Sequence, residues 1–125
     1  MAEFTVKRLD DMQAAYGGGF VKARAELGVT SFGMQVIRLP PETTEYPEHD
    51  HEHDGQEEVY LALGGSGWLE VDGERVDVGP DVFVRVGPRA RRKLFSGPDG
   101  LRVLALGGAP GKAYEVSPTT ELEPA

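Results

Sequence analysis

Short apolar runs recur from Ser31 to Leu106, each cut off by glycine or proline. That punctuation predicts an all-β sandwich or barrel, because both residues end strands more readily than they extend them. Residues 31–39 read as one strand, stopped by Pro40-Pro41. Residues 46–53 form a second extended piece, interrupted at Asp54-Gly55, and 58–63 a third, rich in Val, Tyr and Leu. Gly64-Gly65-Ser66-Gly67 predicts a turn. The sharpest local signal follows, where residues 68–71 and 74–78 flank Asp72-Gly73. Both central positions of such a two-residue hairpin need positive φ, which Asp-Gly tolerates. Residues 82–86, 91–96 and 101–106 complete the strands, with turns at Gly87-Pro88 and Gly97-Pro98-Asp99-Gly100.

The early chain is less regular. Residues 4–9 suit a short strand, and 10–16 suit a helix that stops at Gly17-Gly18-Gly19. Residues 20–27 fit a helix ending at Gly28 and fit a strand equally well. The organisation expected is one domain: residues 1–30 packing on the barrel, 31–110 as the barrel, and 111–125 as a loosely held tail.

Composition narrows the function classes. A chain of 125 residues can bury roughly two thirds of its unfolded surface in a single core. With no cysteine, disulfides, thiolate metal sites and thiol catalysis are excluded. A net charge of −8 argues against nucleic acid or an anionic membrane as partner. No apolar run is long enough to span a bilayer and the first residues lack a secretory pattern, so a cytoplasmic protein is expected. Arg85, Arg89, Arg91, Arg92 and Lys93 form a basic cluster, read as a solvated strand edge.

The chemistry concentrates in His49-Asp50-His51-Glu52-His53, which holds all three histidines and is followed by Glu57-Glu58. Imidazole and carboxylate are the usual ligands of borderline divalent metals. On an extended strand, residues two apart share a face, so His49, His51 and His53 can project together towards one ion. Tyr60, two residues from Glu58, is placed on that residue's face, while Val59, Leu61 and Leu63 take the other.

These segments resemble the cupin superfamily, a double-stranded β-helix or jelly-roll barrel. Its first motif places a His-x-His pair before a Glu, then six residues and a Gly. Glu58 through Gly65 fits the second half of that motif, and His51-Glu52-His53 with four residues to Glu58 fits the first. A second registration uses His49-Asp50-His51 with a longer gap. The resemblance covers roughly residues 31–107 and includes the Asp-Gly hairpin. It implies a barrel pocket for a small molecule and a metal site drawn from His49, His51, His53 and Glu58, holding zinc, iron, manganese or nickel.

The second motif departs from the pattern. Where the family carries Pro-x-Gly-x-x-His, this chain has Gly87-Pro88-Arg89-Ala90-Arg91-Arg92-Lys93, and Arg92 (or Arg91, if the register slips by one) stands in the histidine's position. A guanidinium stays protonated and offers a cation no lone pair. Three readings follow. The histidines and Glu58 hold a metal without Arg92; or Arg92 holds an anionic ligand or pairs with Glu58; or a histidine acts as general base with Tyr60 as proton donor or stacking partner. The expected function is a small-molecule-binding cupin-like protein, with Tyr60 and Arg92 contacting the ligand. The alternative is a metal-dependent enzyme, a dioxygenase or a sugar-type isomerase. A homodimer is the expected assembly, with Trp68, Phe4 and Phe20 as interface or core material.

Overall fold

The computed structural model describes residues 3–124. Its strands are β1 (Ala14–Ala15), β2 (Phe20–Val21), β3 (Gly33–Leu39), β4 (Glu57–Val71), β5 (Glu74–Val78), β6 (Phe83–Val86) and β7 (Arg92–Gly108), with one short helix, α1 (Ala23–Leu27). All neighbours pair antiparallel in the order β1-β2-β3-β7-β4-β5, and β6 pairs with β4 off that path. Among the described residues β1 and β5 end the ladder without meeting, so the sheet folds over a core without closing by hydrogen bonds. The architecture is a jelly-roll β fold, as the family resemblance implied, and within the all-β class expected from the strand pattern.

Two long strands build both layers. The first part of β4 lies between β7 and β6, and its last part between β7 and β5. Register shifts between Ala62 and Gly64, and between Gly65 and Gly67, mark the bend. Residues from both parts then meet in one core: Ile37, Tyr60, Val86 and Val103 pack with Leu69, Val78 and Leu94. This alters two expectations. Gly64 to Gly67 is a bulged stretch inside β4, and Gly97 to Gly100 lies within β7. At Gly65 (φ +79°) a Cβ would collide with the Gly100 carbonyl, and at Gly67 with that of Phe95. These glycines let the backbones press together at the bend, and a sequence pattern reads the same residues as turns.

The Asp-Gly hairpin forms as expected, with Asp72 and Gly73 both at positive φ and Val71 paired to Glu74. Residues 20–27 satisfy both of their signals in turn. Phe20 and Val21 pair with Ile37 and Val36, then α1 begins and stops at Gly28 in the left-handed region. The strand expected over 4–9 is absent: Phe4 and Val6 lie exposed and outside any strand. The helix expected over 10–16 shrinks to a 3-10 turn at Leu9–Asp11 before β1.

The end of the chain is tied down more firmly than its composition suggests. Lys22 Nζ donates to the Glu121 carbonyl at 2.7 Å, and Gln13 and Glu123 exchange two hydrogen bonds. Such polar attachments leave no apolar signature. Trp68 stacks on Phe95 (5.1 Å, 7° between planes) and carries the Arg75 guanidinium 4.1 Å from its ring centre, so it has partners within its own chain. No helix among the described residues is long and apolar enough to cross a membrane.

Candidate functional site

The inward rows of β3, β4 and β7 line a cavity of about 200 Å³ between the layers. Glu58 and Tyr60 supply its β4 wall and Gln35 and Ile37 its β3 wall, while Tyr114 and Thr120 from the end of the chain close one side. Glycine is required opposite Glu58: a Cβ on Gly107 would stand 2.8 Å from Gln56 Oε1 and 3.4 Å from Glu58 Cγ. Gly33 likewise admits the Tyr114 hydroxyl, which a Cβ would meet at 3.1 Å.

The histidine segment joins the sheet through its backbone. His49 N donates to Arg92 O at 3.0 Å and Arg92 N to His49 O at 2.8 Å, and His51 N donates to Pro88 O at 2.9 Å. The chain is extended from His49 to His51, which sends both rings to one side. It then turns: Asp54 N and Gly55 N both donate to His51 O, with Gly55 at φ +72°. That turn carries His53 outward, where its side chain is 75% exposed and its Nε2 lies 3.4 Å from Asp54 Oδ2. The structure therefore brings together His49, His51 and Glu58, and leaves His53 at the rim.

One oxygen organises the cluster. Glu58 Oε1 accepts from the Tyr60 hydroxyl at 2.5 Å and faces His51 Nε2 at 3.4 Å, His49 Nε2 at 3.7 Å and Arg92 Nε at 3.8 Å. Burial raises the Glu58 pKa, but hydrogen bonds from His49, His51 and Tyr60 outweigh it and hold the carboxyl far below its usual range. His51 is shifted upward, first by its hydrogen bond to Glu58 and further by Asp54, against the opposing effect of burial. Burial pushes the Tyr46 phenol up to about 12, and raises Tyr60 well above the usual value, with Glu58 adding to both.

Arg92 is 1% exposed and is not part of the cavity wall. Its Nη2 donates to Gly87 O at 2.9 Å and to Val86 O at 3.3 Å, while Nε and Nη1 have no hydrogen-bond partner. It sits behind Glu58 as a buried counter-charge. Asp54, which the sequence offered only as part of a turn, proves central. Its Oδ1 lies 3.1 Å from His51 Nδ1, and Gln56 donates to it twice. The only hint was its place three residues after His51, a spacing shared by many loop aspartates.

The donor set fits a divalent cation. The Nδ1 atoms of both rings face acceptors: Asp54 for His51, and the Pro47 carbonyl at 3.4 Å for His49. A neutral ring that keeps its proton on Nδ1 in these contacts leaves its Nε2 lone pair aimed at Glu58. The donor atoms of His49, His51 and Glu58 all lie within 4.8 Å of one another. Three lone-pair donors facing a common point repel unless a proton or a metal ion stands among them.

No family model and no curated protein matches this chain. Solved structures do. A cupin protein from Bacteroides fragilis superposes over 100% of both chains at TM-score 0.71 and 20% identity. A sugar phosphate isomerase from a cupin superfamily, from Silicibacter pomeroyi, matches at TM-score 0.64 and 18% identity, covering 82% of this chain and 74% of its own. A cupin domain of an XRE family transcriptional regulator from Enterobacter cloacae matches at TM-score 0.54 and 21% identity, over 66% and 86%.

Proposed function

Starting from a chain that has the cupin fold, we propose that it binds a small molecule in its cavity, next to a divalent transition metal held by His49, His51 and Glu58. The convergence of two imidazole Nε2 atoms on one Glu58 oxygen, each ring braced at Nδ1, carries this reading. A divalent ion held there supplies Lewis acidity with coordination positions left open to a ligand. Asp54 fixes the tautomer and angle of His51. The Tyr60 hydroxyl orients Glu58, and Arg92 offsets its negative charge from behind. Arg92 also competes for that carboxylate, so the site holds its ion less tightly than a four-ligand cage.

Metal-dependent catalysis, as a dioxygenase or sugar-type isomerase, is the second reading. It is favoured by Tyr46, whose phenol lines the cavity and stays protonated at neutral pH, and so is placed to donate a proton to a bound ligand. The expected assembly is a homodimer in the cytoplasm. Phe83, 71% exposed beside Leu61 on the outer face of the sheet, suits contact with a second copy.

Elemental analysis of protein made without a histidine tag tests the reading. The expected result is close to one equivalent of a transition metal per chain after growth with added metal. Less than about a tenth of an equivalent removes it, because a specific site is nearly filled under those conditions.

A further inference from the structure

A second depression of about 510 Å³ opens beside the cavity, and Phe20, Tyr46 and His49 belong to the walls of both. We propose that the ligand carries an uncharged, ring-bearing apolar body. That body lies in this groove, between Tyr16, Phe20 and Tyr46, while its oxygen donors reach the cluster of His49, His51 and Glu58. The inference rests on the metal reading above and names its ligand class.

Size is the first argument. The inner cavity is below the roughly 300–1,000 Å³ usual for small-molecule sites, and the adjoining groove brings the whole into that range. A molecule that fills both must pass His49, so one end of it lies at the cluster.

Charge is the second. Glu58 and Asp54 line the inner cavity and Glu45 the groove, while no lysine or arginine lines the inner cavity. The groove's arginine, Arg38, has its guanidinium engaged elsewhere: Nε donates to Gly18 O at 3.0 Å, and Nη1 lies 3.6 Å from Asp10. An anionic group on the part of the ligand that lies in the groove would meet Glu45 with Arg38 already engaged, whereas at the cluster the ion itself would receive an oxygen donor.

The third argument is the shape of the rim. Tyr16 is 77% exposed, yet its backbone is held at φ +54°, a region that bulky residues seldom adopt. Its ring meets Phe20 edge to face at 6.1 Å. An exposed aromatic ring fixed on a strained backbone at a groove's mouth is of little use to the core and well placed to flank a flat ligand.

Two hydroxamate chelators, one with a ring and one without, are compared by calorimetry on the zinc-loaded full chain. Benzohydroxamate is expected to bind at least tenfold more tightly than acetohydroxamate, and 4-carboxybenzohydroxamate at least fivefold more weakly than benzohydroxamate. Tyr16→Gly, which suits the backbone angle, should shrink the aromatic preference to under threefold and leave acetohydroxamate unchanged. If acetohydroxamate binds but the ring adds nothing, or if Tyr16→Gly keeps the preference, the groove assignment is overturned. A carboxylated probe that binds as well as benzohydroxamate shows that the groove accepts an anion, which overturns the uncharged body. Failure of every hydroxamate to bind overturns the metal reading and this inference with it.

Discussion

The buried guanidinium of Arg92 ends 3.8 Å from the same Glu58 oxygen that both imidazoles face. Its backbone meanwhile forms the two-way bridge to His49 that sets the histidine segment in place. One residue thus anchors the ligand-bearing strand and supplies a fixed positive charge behind the carboxylate. With Nε and Nη1 unpaired, Arg92 depends on Glu58 for its main electrostatic compensation.

Glu58→Gln is accordingly expected to destabilise the fold by about 3 kcal/mol, since it strands a buried cation. Arg92→Met should cost less, because the carboxylate it leaves behind keeps His49, His51 and Tyr60 as neighbours. Urea denaturation of the metal-free variants measures both. A Glu58→Gln loss under about 1 kcal/mol would show the pair to be energetically idle.

Stability should depend on pH in opposite senses with and without metal. The His51 pKa is raised above 6.5, so its contribution is fully present below that value and is lost as pH rises through the folded pKa. Glu58 is lowered from 4.5, so its contribution is present above that value and is lost on acidification. The metal-free chain should therefore melt at a higher temperature at pH 6 than at pH 8. Zinc competes with the proton for His51 Nε2, so its stabilisation should grow from pH 6 to pH 8. A metal-free melting temperature that rises over this interval would contradict the His51 assignment.

Asp54→Ala removes the brace on His51 without touching the atoms that would meet the ion. Metal affinity is expected to fall by about 10- to 100-fold, the usual loss when such a support is removed. Competition against a chromophoric chelator reads it directly. An unchanged affinity would mean that the ring needs no support from Asp54.

Arg92→His replaces the guanidinium with a ring that has a lone pair. Tighter metal binding, by about tenfold or more, is expected if the new ring reaches the cluster, since a ligand is gained and a repelling charge removed. The same chelator competition measures it, and equal or weaker binding would show that position 92 lies outside the ion's reach.

The strands, the Asp-Gly hairpin and the shared face of Glu58 and Tyr60 were legible because they follow from period-two alternation and turn chemistry. Which two histidines converge was not. The choice depends on the turn that Asp54 and Gly55 make back to His51 O, and on the bridge to Arg92, which lies far away in sequence. Glycines at the bend misled for a related reason. Gly65 and Gly67 are needed for close backbone approach, and spacing alone does not separate that role from a turn. The strand expected at 4–9 does not form, and Phe4 and Val6, though apolar, stay exposed.

Anomalous diffraction from crystals soaked in zinc tests the metal assignment most directly. The expected peak lies about 2.0–2.2 Å from His49 Nε2, His51 Nε2 and a Glu58 oxygen, with His53 unaffected. A peak only between His53 and Asp54, or none at full soaking, would contradict it.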